Sequence, residues 1–162
     1  MMNLNHSLNK PFSKFHKWLL GGFLGLSFLG FLDASYLAAE HYLGIPLTCV
    51  VFSGCEKVLD SEYSAIFGVP IALFGAGYYA AIFVLAAAFL ETRRRMFLNA
   101  AAFLPLAGSV VSLFLVYLQI FVLKALCQYC LISAFITFAL LGIACAFLFS
   151  GRQLKQDAPE SV

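Results

Sequence analysis

The residues best suited to chemistry are four cysteines in two pairs. Cys127-Gln128-Tyr129-Cys130 has a dithiol spacing that can close into a disulfide or bind a metal. Cys49 and Cys55 flank Val50-Val51-Phe52-Ser53-Gly54. A fifth cysteine, Cys145, makes the count odd, so the cysteines cannot all pair within one chain. Thiol-disulfide exchange needs a thiolate, an accessible disulfide and a leaving thiol of low pKa. Cys127-Cys130 lies between apolar runs at 97–123 and 131–149. That places it at a helix amino terminus, where the dipole and unpaired N–H groups favour a thiolate. Two pairs on one face of a membrane allow a relay, with one pair meeting a soluble protein and the other something in the bilayer. A quinone is the natural acceptor there. It needs an apolar, aromatic-lined pocket with a few polar groups, and Phe52, Phe67 and Phe74 are candidates for its walls.

The elements that must position these residues are membrane helices. The chain is 62% apolar and 11% charged over 162 residues, with mean hydropathy +0.92. Soluble domains carry about 25% charged residues. A net charge of +2 is too small to suggest nucleic acid. Four spans are expected, at 18–39, 66–90, 97–123 and 129–150. Each reaches the ~20 residues that cross a hydrocarbon core. All are read as helices, which satisfy their own backbone groups in lipid.

Basic residues set the orientation. Lys10, Lys14, Lys17, Arg93, Arg94, Arg95, Arg152 and Lys155 fall on the amino-terminal side, and only Lys57 and Lys124 on the other. Both termini are therefore expected in the cytoplasm and both cysteine pairs in an oxidising, periplasm-like compartment. Residues 1–17 read as a cytoplasmic tail, 18–150 as the catalytic bundle, and 151–162 as a disordered cytoplasmic tail. The expected fold is all-α, an integral membrane four-helix bundle capped by the loop between the first two helices. In that loop Val58 and Leu59 suggest a short interfacial helix, and Gly54 supplies backbone freedom before Cys55.

The second span carries Gly68, Ala72, Ala76 and Ala80 at four-residue spacing, a face for close helix packing. Gly68-Val69-Pro70 is expected to distort its first turn. The hydroxyls of Tyr78 and Tyr79 lie deeper and need partners. Asp33 lies inside the first span, near its outer end, with Tyr36, Leu37 and Glu40 on roughly the same face. An ionisable group there is a functional candidate. It can accept hydrogen bonds from the bundle, or relay a proton as quinone becomes quinol. Cys145 lies fifteen residues past Cys130, about 22 Å along a helix. That excludes it from the relay and makes it a small buried apolar residue. His6 and His41 have no partner at metal-ligand spacing, and no metal cofactor is expected.

Cys49 and Cys55, Ser61, the run Ser64-Ala65-Ile66-Phe67-Gly68-Val69-Pro70, and Cys127-Gln128-Tyr129-Cys130 together resemble the vitamin K epoxide reductase family, in its bacterial rather than animal form. The resemblance covers the four-helix core. It implies an oxidase of the bacterial inner membrane that keeps a periplasmic thioredoxin-fold (DsbA-like) protein oxidised. Electrons would pass to menaquinone or ubiquinone. Cys49 would exchange with the soluble partner, Cys55 would pass electrons to Cys127, and Cys130 would deliver them. Ser61 would hydrogen-bond a quinone oxygen or the cap, and Ser64, Phe67 and Asp33 would belong to the quinone site. Many bacterial members carry a fifth helix and a fused thioredoxin-like domain. This sequence ends before either, so a separate partner is expected. Animal members have Asn where Ser64 stands and Tyr where Ala134 stands, which points away from epoxide reduction. The disulfide oxidase B proteins place their Cys-x-x-Cys in the first outer loop and fit less well.

Other readings use the same cysteines. Static disulfides would make this a structural membrane protein, and a four-thiolate zinc site would make it a metalloprotein, which an oxidising compartment disfavours. A vitamin K quinone or epoxide reductase would run the same pairs toward substrate reduction.

Overall fold

The computed structural model describes residues 14–44, 54–59, 61, 63–92 and 95–156. Four long helices dominate. They are α1 (Lys14–Leu43), α3 (Ile71–Thr92), α4 (Arg95–Tyr117) and α5 (Gln128–Gln156), with the short α2 (Cys55–Leu59) between the first two. The segments long and apolar enough to cross a membrane are Trp18–Leu43, Ile71–Thr92, Asn99–Val122 and Gln128–Phe147. The outward face of the bundle is apolar, with Phe83, Val84, Val110, Leu113, Phe114 and Phe135 exposed on it. Lipid makes such a face favourable where water would not. The bundle is a multi-pass membrane protein of all-α class. α5 runs to Gln156, past the end expected at Ser150.

Small residues set the packing. α1 packs most extensively on α3, and α4 on α5. The core joins Phe23 and Ala34 of α1 to Ala76, Tyr79, Ile82 and Ala86 of α3, with Ala101, Ala102, Ile136, Leu140 and Ala144 from the other two helices. A Cβ on Gly30 would lie 2.6 Å from the Tyr79 ring, so α1 approaches α3 only because that position is glycine. The Tyr79 hydroxyl crosses to α5, where it donates to the Ser133 carbonyl (2.8 Å) and meets the Ser133 and Thr137 hydroxyls (both 2.9 Å). The partner that this hydroxyl needed is a three-oxygen cluster on α5. Tyr78 instead lays its hydroxyl on Gly108 of α4, where a Cβ would overlap it.

Two connections depart from expectation. The second span begins at Ile71 and not at residue 66, because Ala65–Ile66 (β1) pairs antiparallel with Val69–Pro70 (β2). Phe67 (φ 53°) and Gly68 (φ 80°) form the turn, both left-handed as a two-residue hairpin requires. Gly68-Val69-Pro70 thus builds a hairpin before the helix and does not distort its first turn. The Ser64 carbonyl accepts from the Ile71 N–H (2.8 Å) and ties the hairpin to α3. At the other connection α4 widens into a π-turn over Leu118–Val122, closed by Leu123 N–H to the Leu118 carbonyl (2.9 Å). Lys124 then takes a left-handed φ of 48° and reverses the chain toward α5.

Candidate active site at the cysteine end of the bundle

Cys127 is the N-cap residue of α5. Its carbonyl accepts the Leu131 N–H (3.1 Å), the first bond of the helix. A cap side chain can accept from the next free N–H groups, and the Cys127 sulfur is so placed relative to the N–H of Tyr129 and Cys130. The side chain of Cys130 also hydrogen-bonds it, and this is the largest influence on the thiol. Together these pull Cys127 from the ordinary thiol range to about 7, against burial and the Asp33 carboxylate, which act the other way. Cys127 and Cys130 are free thiols. Cys127 is therefore the member of the pair that carries negative charge most easily, and Cys130 the one that donates to it.

The cap delivers Cys55 to this point. Cys55 opens α2, is disulfide-bonded and is 1% exposed, and Cys127 is 0% exposed. With Val58 they form one buried cluster, surrounded by Leu123, Ala125, Tyr129 and Cys130. Gly54 makes the approach possible. A Cβ there would stand 2.8 Å from the Leu126 nitrogen and 2.9 Å from its carbonyl oxygen. Gly54 therefore serves the close approach of the cap to the turn before α5. Tyr36 of α1 meets Tyr129 with ring centroids 5.4 Å apart, closing the α1 side of the cluster.

Below the cysteines lies a cavity of about 360 Å³. Cys130 lines it, with Asp33, Ser61, Ser64, Phe74, Tyr78, Gln119 and Ala134 among apolar neighbours. An apolar chamber with a few polar groups and a thiol at one side suits a planar hydrophobic oxidant. The profile of the Vitamin K epoxide reductase family matches residues 22–145, which takes in Asp33, both cysteine pairs and most of the bundle. The chain belongs to the vitamin K epoxide reductase family. It is also similar to the thiol-disulfide oxidoreductase LTO1 of Arabidopsis thaliana, 29% identical over 139 residues that cover 81% of this chain and 35% of that protein. The chain thus spans about a third of that relative's length.

In this family member the residues singled out in the sequence separate into groups. Cys55, Cys127 and Cys130 converge, while Cys49 and Phe52 lie outside the described residues. Ser61, Ser64, Asp33 and Phe74 line the cavity. The Ser61 hydroxyl donates to the Val58 carbonyl (2.7 Å), so it closes the end of α2 and holds the cap. Phe67, expected in the quinone site, does not line the cavity; it stands fully exposed at the hairpin tip because the turn turns it away. On α1 the face toward the cavity is Asp33, Ala34, Leu37 and His41, while Tyr36 turns to Tyr129. One Asp33 carboxylate oxygen is buried with no hydrogen-bond partner among the described residues. Cys145 is exposed on the outside of α5 and not buried as expected, since a small polarisable side chain is also at home in lipid.

Sequence reasoning missed Gln119. Its side-chain oxygen accepts the Cys127 N–H (2.9 Å), and its carbonyl accepts the Ala125 N–H (3.1 Å). The available signal was an amide inside an otherwise apolar span, eight residues before Cys127.

Proposed function

We propose that the protein is a membrane thiol-disulfide oxidase that passes electrons from a soluble thioredoxin-fold dithiol protein, through its two cysteine pairs, to a quinone. The observation that carries this reading is the contact chain: disulfide-bonded Cys55 is buried against Cys127, and Cys130 opens on the cavity. A thiolate of the partner would attack the Cys49 sulfur of a Cys49–Cys55 disulfide and release Cys55 as thiolate. The second partner thiolate then closes the partner's own disulfide and frees Cys49. Cys55 would attack Cys127 in its oxidised pair and displace Cys130, and Cys49 would resolve the Cys55–Cys127 bond. Cys127, held near 7, is a good leaving group when Cys49 resolves that bond.

In the last stage the Cys130 sulfur would add to the quinone ring as its proton passes to a quinone oxygen, and the Cys127 thiolate would attack the Cys130 sulfur and break the new sulfur–carbon bond. A disulfide forms, and two electrons and two protons leave as quinol. The two thiols supply the two protons in the overall balance. Ser61, Ser64 and Asp33 border the chamber in which the quinone would sit. The similarity to LTO1, itself named a thiol-disulfide oxidoreductase, supports the reaction class. The orientation read from the basic residues would put the pairs on the periplasmic side of a bacterial inner membrane.

Purified protein in detergent tests this with a soluble quinone and two reductants. Cys130→Ala is expected to abolish quinone reduction by either. Cys49→Ala is expected to retain reduction by a small dithiol and to lose it with a thioredoxin-fold protein. Turnover of that protein by Cys49→Ala at the wild-type rate would overturn the relay order.

A further inference from the structure

The turn that delivers Cys127 has little regular structure to hold it. Residues 124–127 lie between the π-turn and α5, and they begin with a left-handed Lys124 (φ 48°). A non-glycine residue is held in that region only when its surroundings fix it. Cys127 is 0% exposed. Its own N–H, at the N-cap position, has no intrahelical acceptor, and burial excludes water as a substitute. That N–H donates to the side-chain oxygen of Gln119, which is itself 2% exposed. The Gln119 carbonyl takes the Ala125 N–H as well. One residue of the π-turn therefore grips the connection at two points, on either side of Leu126. Single π-turns in α-helices recur at functional sites because they present groups that a regular helix end would spend on its own ladder.

We propose that Gln119 is the positioning residue of the inner cysteine pair: its side-chain oxygen fixes the Cys127 backbone as the N-cap of α5 and so holds the Cys127 sulfur at the helix amino terminus, against Cys55 and Cys130. A neutral amide suits this role. It accepts the N–H without placing a second negative charge beside the sulfur, where Asp33 already opposes the thiolate. The titratable groups around Cys127 are Cys130 and Tyr129 on α5 and, on α1, Asp33 and the Tyr36 that meets Tyr129. The facing α2 brings Cys55, whose disulfide does not titrate, while Lys57 and Lys124 are exposed beside Gly54 at the rim. Gln119 also lines both the inner cavity and that outer cleft, so it forms part of the wall between them.

The consequence for turnover rests on the oxidase reading; the anchor itself is read on Cys127 alone. The experiment compares wild-type protein with Gln119→Met, which keeps length and loses the oxygen. The first readout is the pH dependence of alkylation of Cys127 in protein carrying Cys49→Ser, Cys55→Ser, Cys130→Ser and Cys145→Ser, which leaves Cys127 as the single thiol. The Met change is expected to raise its midpoint by about one unit, toward the ordinary thiol value. The second readout is turnover of otherwise wild-type protein with quinone, expected to fall about tenfold in Gln119→Met. An unchanged midpoint in Gln119→Met overturns the anchor and would make Gln119 a packing residue. Should Gln119→Met not fold, Gln119→Asn, which keeps the amide but lacks the reach, is read the same way. Wild-type protein that reduces no quinone would overturn the oxidase reading and leave the alkylation comparison intact as the test of the anchor.

Discussion

Replacing Gly54 by alanine should separate the two cysteine pairs without altering either. The added Cβ would lie 2.8 Å from the Leu126 nitrogen and 2.9 Å from its carbonyl oxygen, with the Ala125 Cβ at 3.1 Å. Ordinary contact begins at 3.4 Å, so the cap must withdraw by roughly 0.6 Å. Both near atoms are backbone, and neither can rotate away as a side chain would. Leu126 is also tied from behind, since its neighbours Ala125 and Cys127 are bonded to Gln119. The displacement therefore falls on α2 and Cys55. Attack of one sulfur on another needs an approach close to bonding distance, and a misplacement of about 1 Å costs on the order of a hundredfold. A shift of roughly 0.6 Å should thus slow transfer from Cys55 to Cys127 by about ten- to a hundredfold. The assay is single-turnover reduction of the Cys127–Cys130 disulfide by a reduced thioredoxin-fold protein, followed by thiol trapping. A small dithiol that reaches Cys127–Cys130 directly should still drive quinone reduction in the variant at close to the wild-type rate. If Gly54→Ala transfers electrons from the protein dithiol as fast as wild type, Gly54 does not set the spacing of the pairs.

Three further outcomes follow from the same geometry. Ala134→Phe places a ring in the cavity beside Cys130, and should raise the KM for quinone while leaving dithiol exchange with the cysteine pairs unchanged. Tyr79→Phe removes a hydroxyl shared by Ser133 and Thr137, and should lower stability by about 1 kcal/mol, measured as a fall in Tm in detergent. The Cys127 thiol lies below its ordinary value in the folded protein, at about 7. A depressed acid stabilises the fold fully above its unfolded value and loses that contribution as pH falls through the folded one. The stability of reduced protein relative to Cys127→Ser should therefore rise between pH 7 and about 8.5. A flat or falling difference across that window would contradict the assignment of the thiolate to Cys127.

The sequence made the bundle legible because lipid imposes a simple rule: any run of about twenty apolar residues must satisfy its own backbone. The four spans follow from that rule to within a few residues, and Val58 and Leu59 in α2 follow from apolar residues in a polar loop. The connections were less legible, for a physical reason. Periodicity reports which face a helix buries, but a turn is fixed by individual hydrogen bonds and steric limits. Residues 66–70 read as helix on composition, yet paired positive-φ residues at Phe67 and Gly68 make a hairpin and turn Phe67 away from the cavity. Gly54 looks like any loop glycine until Leu126 is placed against it.

Gln119 shows the same limit at the site itself. Composition marks it as a polar residue in an apolar span, but nothing in its spacing from Cys127 implies a contact, because eight residues of regular helix would carry them about 12 Å apart. The π-turn and the left-handed Lys124 fold that distance back to a 2.9 Å hydrogen bond. The cysteines declare the chemistry through residue type. Their reactivity depends on a short non-helical connection, which Gln119 holds from one side and Gly54 admits to the cap from the other.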